Sequence, residues 1–389
     1  MKLAPLVSVM ALAMSVLPAI GLAAQASQAF HVYFGTYTNN VSKGIYRSSF
    51  DAATGTLSAP ELALETSSPS FLAVHPSMSL LYAVDESATP EKTPGKGISA
   101  ITIDPTSGKL TLLNQQSNGG AGGCFISVDN SGKVVLVANY SSGSVTSVKL
   151  EADGRLGAVG SLIQHTGSSV NPQRQREPHA HDAKVSADNR FVFVPDLGLD
   201  KVMVYSLDAA NATLKPAPTP SASVPGGSGP RHIAFHPNGK YAYVINELLC
   251  TVSAFQYDAA RGELTKEIQN LTTLPAGVER ARNFSTAEIM VHPSGKYVYG
   301  STRGHNSITV WSVDAATGAL TQVQNQSTLG NGPRHFTFDP TGNWLLVSNQ
   351  NAGGSVAVFR IDTATGKLTQ QGQPLVVPTP VCAVFVPVK

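Results

Sequence analysis

The residues best equipped for chemistry are gathered in short strings: PHAH at 178–181, GPRH at 229–232, INE at 245–247, STRGH at 301–305 and a second GPRH at 332–335. Between them they hold His179, His181, Arg231, His232, Glu247, Arg303, His305, Arg334 and His335. Imidazole and carboxylate groups move protons to and from a reacting water or leaving group. Guanidinium groups hold a carboxylate or phosphate, or the negative charge that grows on a carbonyl oxygen under attack. A serine mechanism has no support, because no G-x-S-x-G elbow occurs. Strings so far apart act together only if the fold closes on itself.

Internal repeats supply such a fold. A D-x-x-x-G-x-L token recurs at Asp51 to Leu57, Asp104 to Leu110, Asp258 to Leu264, Asp314 to Leu320 and Asp362 to Leu368, with degenerate copies at Glu151 to Leu156 and Asp208 to Leu214. The seven copies average about 52 residues apart, the spacing of propeller blades. Each lies between strand-like runs such as ITVWSVD and LTQVQN. It reads as a hairpin turn in which Asp caps and Gly takes a positive φ. A calcium loop is disfavoured, since most copies hold a single carboxylate.

A second unit, strand, x-P-x-G-K, strand, appears as HIAFHPNGKYAYVIN, IMVHPSGKYVYG and FTFDPTGNWLLVSN. His236 and His292 precede the turn prolines and are read as turn caps. The last inner strand, VCAVFVPV at 381–388, falls at the C-terminus, whereas its partners HVYFGTYT and GIYRSSF fall near the N-terminus. The expectation is an all-β, seven-bladed β-propeller with four-stranded blades, its ring closed by pairing N- and C-terminal strands in one blade.

Hairpin geometry then places side chains. A turn centred near Gly239 sets Arg231 opposite Glu247, and the same construction pairs His181 with Asp196, Thr286 with Arg303, and Arg334 with Asn349. Inner strands of a propeller run alike, so these open hairpin ends share one face around the channel mouth. That face gathers His179, His181, Asp196, Arg231, His232, Glu247, Arg303, His305, Arg334, His335 and Asn349, which makes it the expected functional mouth. The repeated GPRH is also what a blade consensus would give, and an Arg231–Glu247 ion pair could be purely structural. Arg174 and Arg176, in the loop NPQRQREPHAH, are read as solvated loop charges. Glu247, Asn139, Asn246 and Asn349 could offer oxygen ligands to calcium, but arginines at the same mouth oppose a dication; no metal and no cofactor is expected.

The strings PHAHDAKVSADNRFVFVPDLGLDKVMVY and GPRHIAFHPNGKYAYVINE resemble the bacterial 6-phosphogluconolactonase family of seven-bladed propellers, which includes carboxy-cis,cis-muconate cyclase. The likeness runs from FGTYT at Phe34 onward. It implies a catalytic set of His181, Arg231, Glu247 and Arg303; the hairpin placement adds His179, Asp196, His232, His305, Arg334 and His335 as expected substrate-binding neighbours on the same face. It implies hydrolysis of a sugar δ-lactone, of gluconolactone or 6-phosphogluconolactone type, in which Glu247 or His181 activates water and Arg231 and Arg303 hold the oxyanion. Muconate-type cycloisomerisation and a non-catalytic carbohydrate- or protein-binding propeller remain open alternatives.

Composition narrows the setting. Only 13% of residues are charged and the chain has 35 Gly and 25 Pro, which suits short strands and many tight turns. A formal net charge of +2 without basic runs leaves no footprint for nucleic acid. Cys124, Cys250 and Cys382 are too few for a disulfide framework and read as buried apolar fillers. Lys2, an apolar run from Leu3 to Ala23 and small residues at Ala24 and Ala26 read as a signal peptide over 1–26, cleaved after Ala26, ahead of the propeller at 27–389. The mature protein is accordingly expected in the periplasm or outside the cell, as a monomer free of the membrane, acting on a small lactone or organic acid.

Overall fold

Every D-x-x-x-G-x-L token and both degenerate copies form the turn between the third and fourth strands of a sheet. In the computed structural model, which describes Met1 and residues 28–38 and 41–389, seven antiparallel sheets result. The expected signal segment lies, apart from Met1, outside the described residues. Among those residues there is no helix. The fold is a seven-bladed β-propeller of four-stranded blades.

Ring closure follows the sequence expectation. Strand Pro380–Pro387 is the innermost of its blade and pairs antiparallel with Ala29–Thr36, which in turn pairs with Gly44–Asp51. The outer edge of that blade is shared by Thr56–Leu57 and Glu61–Glu65. The other six innermost strands are Leu72–Val74, Gly123–Val128, Lys184–Val185, Pro230–Phe235, Ser285–Val291 and Pro333–Phe338. Apolar residues on both faces of the middle strands interdigitate between neighbouring blades, so the core is a ring of interfaces rather than one central mass.

The repeated turns do more than reverse the chain. The buried hydroxyl of Tyr33 donates to the carbonyl of Gly108, Tyr82 to Gly154, Tyr243 to Gly318 and Tyr299 to Gly366, so a tyrosine of one blade clasps a turn glycine of the next. At the closing seam Trp344 Nε1–H donates to Ala52 O, 2.8 Å away. Tyr299→Phe leaves a buried carbonyl without its donor and is expected to cost about 1–2 kcal/mol. Urea unfolding followed by tryptophan fluorescence measures that loss.

Register near the mouth departs from simple hairpin symmetry. Pro230 faces Asn246 and His232 faces Ile245, leaving Arg231 as the extra residue of a β-bulge. Pro333 faces Asn349 and His335 faces Ser348, which leaves Arg334 in the same position. Cys124 is skipped in the same way, and further shifts occur between Thr286 and Ile289 and between Gly35 and Thr36. The facing pairs are therefore corrected: Ala180, not His181, bridges Asp196, and Ser285, not Thr286, faces Arg303. A bulge re-aims side chains and breaks strict alternation. Consecutive residues such as Arg231 and His232 thereby both reach the channel.

Candidate active site

Two repeat positions build the mouth. The first is the bulge position of the innermost strand, occupied around the ring by Ser70, Cys124, His181, Arg231, Ala287, Arg334 and Val381. The second lies at or shortly beyond the next strand's mouth end, occupied by Tyr37, Glu86, Tyr140, Leu197, Glu247, Arg303 and Gln350. Backbone bonds tie them together: the N–H groups of Tyr37, Glu86, Tyr140, Leu197, Glu247 and Gln350 donate to the carbonyls of Thr379, Ser68, Gly122, His179, Gly229 and Gly332, each two residues before the corresponding bulge. A cavity of about 230 Å3 opens there, walled by Tyr37, Glu86, Tyr140, Glu247 and Arg303 from the second ring, Cys124, His181 and Arg334 from the first, and Arg174 from the loop above. That volume suits one small ring compound, below the ~300–1,000 Å3 of sites for drug-sized ligands.

Glu247 organises one wall. Its Oε1 accepts a hydrogen bond from Arg174 Nη2 at 2.9 Å, and its Oε2 lies 3.0 Å from Arg303 Nη2 and 3.3 Å from Arg231 Nε. Burial alone would raise its pKa, but Arg303 and Arg231, then His181 and Arg174, hold the carboxyl well below the ordinary carboxylate range. Burial and the neighbouring Arg334 and Arg303 lower Arg231 to about 10, so it remains a cation at neutral pH.

His181 is buried at the same cavity, with its Nδ1 3.5 Å from Cys124 Sγ and no protein partner for Nε2 among the described residues. Burial, then the charges of Arg231 and the contact with His232, push its pKa well below 6.5. The ring is therefore a neutral imidazole, able to accept a proton. Tyr140 packs edge-on against it and takes a hydrogen bond from Arg174.

Beneath the cavity, one residue further along the inner strands, a second polar layer fixes the first. Arg231 Nη1 lies 3.0 Å from His232 Nε2, and His232 Nδ1 lies 2.9 Å from Glu288 Oε1. Since a guanidinium can only donate, Nε2 accepts and Nδ1–H donates to Glu288. His335 Nδ1 accepts from Ala383 N–H, which turns its Nε2–H toward Glu288 Oε2 at 3.6 Å. The rings of Phe71 and Phe125 pack against these histidines and close the channel below.

Of the proposed catalytic four, His181, Glu247 and Arg303 line the cavity, joined there by Arg334, whereas Arg231 is buried outside the lining and meets it through Glu247. His232 and His335 sit in the layer beneath it. Three expected substrate neighbours stand elsewhere. Asp196 is turned away, accepting from His165 Nδ1 at 2.6 Å and from the backbone N–H groups of His179 and Gly198. His179 stacks on Tyr140 and points Nδ1 at its carbonyl. His305 packs on Phe284 and bonds Ser307, outside the cavity wall.

Sequence reasoning passed over Tyr37, Glu86 and Tyr140, read Cys124 as an apolar filler, and read Arg174 as solvated. A signal existed for most of them: Tyr37, Glu86 and Tyr140 hold the repeat position of Glu247, in FGTY, AVDE, VANY and VINE. Arg174 gave none, because its place depends on a loop fold anchored by buried Gln175, whose side chain donates to Leu197 O.

The profile described as "Lactonase, 7-bladed beta-propeller" matches residues 31–385. The chain is 40% identical over 354 residues to the 6-phosphogluconolactonase of Bacillus subtilis, covering 91% of this chain and 97% of that one. It is 36% identical over 311 residues to the 6-phosphogluconolactonase of Formosa agariphila, covering 79% and 85% of the two chains. The crystal structure of the periplasmic gluconolactonase of Pseudomonas aeruginosa superposes with a TM-score of 0.86 at 33% identity, spanning 93% of this chain and 100% of that one. With its fold, its cavity and its sequence in agreement, the chain belongs to the seven-bladed β-propeller lactonases, enzymes of the carboxylic-ester hydrolase class.

Proposed function

We propose that the protein hydrolyses a sugar δ-lactone to its aldonic acid at the channel mouth. The observation that carries this reading is the placement of a neutral, buried His181 beside a permanently ionised Glu247 that gathers three guanidinium groups. Relatives named for 6-phosphogluconolactone and gluconolactone hydrolysis support the substrate class.

In this mechanism His181 takes a proton from water as the water oxygen bonds to the lactone carbonyl carbon. Charge then grows on the carbonyl oxygen, where Arg231 and Arg303 oppose it. Glu247 keeps both arginines in place and favours the imidazolium while it exists. Collapse of the intermediate breaks the ring C–O bond, and the departing alkoxide receives the proton from His181. One water is consumed and one hydroxy acid leaves, with no covalent enzyme intermediate. The N-terminal sequence supports an exported enzyme acting on lactones formed by sugar oxidation outside the cytoplasm.

A pH-stat assay on glucono-1,5-lactone tests the reading: proton release well above the spontaneous rate is expected, and a rate equal to background overturns it. The profile is informative as well. Protonation of His181 removes the base, and its pKa is lowered, so kcat/KM is expected to hold down to pH 6.5 and to fall only below it.

A further inference from the structure

The wall facing Glu247 has a separate character. Arg334 lies over the Tyr37 ring, 5.3 Å from its centroid, and its side chain makes no hydrogen bond to any described residue. Its closest carboxylate contact is Glu86 Oε1, 3.8 Å from Nη2. Glu86 Oε1 accepts from Tyr37 OH at 3.1 Å, and the buried Glu86 Oε2 has no hydrogen-bond partner among the described residues. A guanidinium only 13% exposed and a carboxylate with spare acceptor capacity thus stand side by side on the cavity without satisfying one another. Both side chains are half-buried and open to a ligand in the cavity, and the buried Glu86 Oε2 calls for a partner.

We propose that Tyr37, Glu86 and Arg334 form a hydroxyl-reading subsite that selects polyhydroxylated lactones by the ring edge remote from the carbonyl. This rests on the lactonase reading of the opposite wall. A hydroxyl group fits both members, because it accepts from Arg334 while donating to Glu86. A phosphoryl group fits one only: it accepts from Arg334 but has no proton to give an ionised carboxylate, whose charge repels it. The wall therefore takes hydroxyls, and any phosphate on the substrate must lie elsewhere. Tyr37 holds Glu86 in place through the remaining bond.

Two measurements separate this proposal from the reading beneath it. The kinetic one compares glucono-1,5-lactone with δ-valerolactone, the same ring without hydroxyls. The ratio of their kcat/KM values is expected to fall about tenfold or more in Glu86→Gln, chiefly through KM for the sugar lactone, because the amide offers a neutral, weaker acceptor and puts a donor in place of the second carboxylate oxygen. Tyr37→Phe, which keeps the ring under Arg334, is expected to lower the ratio less. Equal losses on both lactones, or no loss, overturn the subsite. A wild type inactive on both lactones overturns the lactonase reading instead.

The subsite itself is then read without turnover, by calorimetric binding of D-glucono-1,5-lactam. At least tenfold weaker binding to Glu86→Gln supports the proposal. An affinity within twofold of wild type, or no binding to wild type at millimolar lactam, overturns it.

Discussion

Glu247→Gln is expected to lower kcat/KM on glucono-1,5-lactone by about a hundredfold or more and to weaken the fold at the same time. The substitution preserves shape and removes one charge, and that charge is the common partner of Arg174, Arg231 and Arg303. Arg231 is 2% exposed and has no other counterion at its Nε, so it is left as an uncompensated buried cation. Breaking a buried ion pair from one side typically costs about 3–5 kcal/mol. Loss of donors preorganised toward a developing oxyanion costs ~10²–10³ in rate. A merely structural role would lower stability without touching the pH profile. Glu247 raises the pKa of His181, so its removal lowers that pKa further and moves the acid limb of the residual activity to lower pH. Chemical denaturation and a kcat/KM profile on the same preparation measure both effects.

His181→Ala is expected to reduce kcat by ~10²–10⁴, the range of a positioned general base. The fold should tolerate the change better than the loss of Glu247, because the imidazole is neutral and, among the described residues, its ring's hydrogen-bond contact is Cys124 Sγ at 3.5 Å. Added imidazole offers a check that structure alone would not pass: partial rescue, growing with the concentration of the neutral base, identifies the missing function as proton transfer. An unaltered kcat would transfer the role of base elsewhere and leave His181 as a packing residue against Tyr140 and His232.

The seven blades and their closure were legible in the sequence because the Asp-Gly turn must recur wherever a blade reverses its outer strands. The N-terminal strand with its partner at residues 380–387 was legible for the same reason: one inner strand was missing from the order and remained at the other end. Side-chain placement was legible only to within one residue. Residue spacing counts positions along a hairpin, and it does not report a bulge, which adds one residue to one strand alone. Arg231 was placed opposite Glu247 by such counting, and the two do meet at 3.3 Å, but through a bulge that puts Pro230 opposite Asn246. Asp196 was lost by the same one-residue error, since its carboxylate is engaged by His165 behind the cavity.

Glu86 and Tyr37 were missed for another reason. They matter through position in the repeat rather than through residue type. The repeat aligns Tyr37, Glu86, Tyr140, Glu247 and Arg303 around one opening, with three different chemistries, phenol, carboxylate and guanidinium, at one structural place. A conserved scaffold with a variable residue at each blade end allows the site's character to change blade by blade while the bulges and backbone bonds remain. The polar layer of His232, Glu288 and His335 is the counterpart of that freedom, because it fixes Arg231 from below irrespective of the ligand.

The central claim is that the channel mouth binds a lactone with its carbonyl toward the Glu247 wall. A crystal structure with D-glucono-1,5-lactam tests it most directly. The carbonyl oxygen is expected within hydrogen-bond reach of Arg231 or Arg303, His181 Nε2 close to the carbonyl carbon on the side open to water, and ring hydroxyls between Glu86 and Arg334. A lactam seated outside this cavity, or one whose carbonyl faces Glu86 with His181 out of reach, would contradict the account.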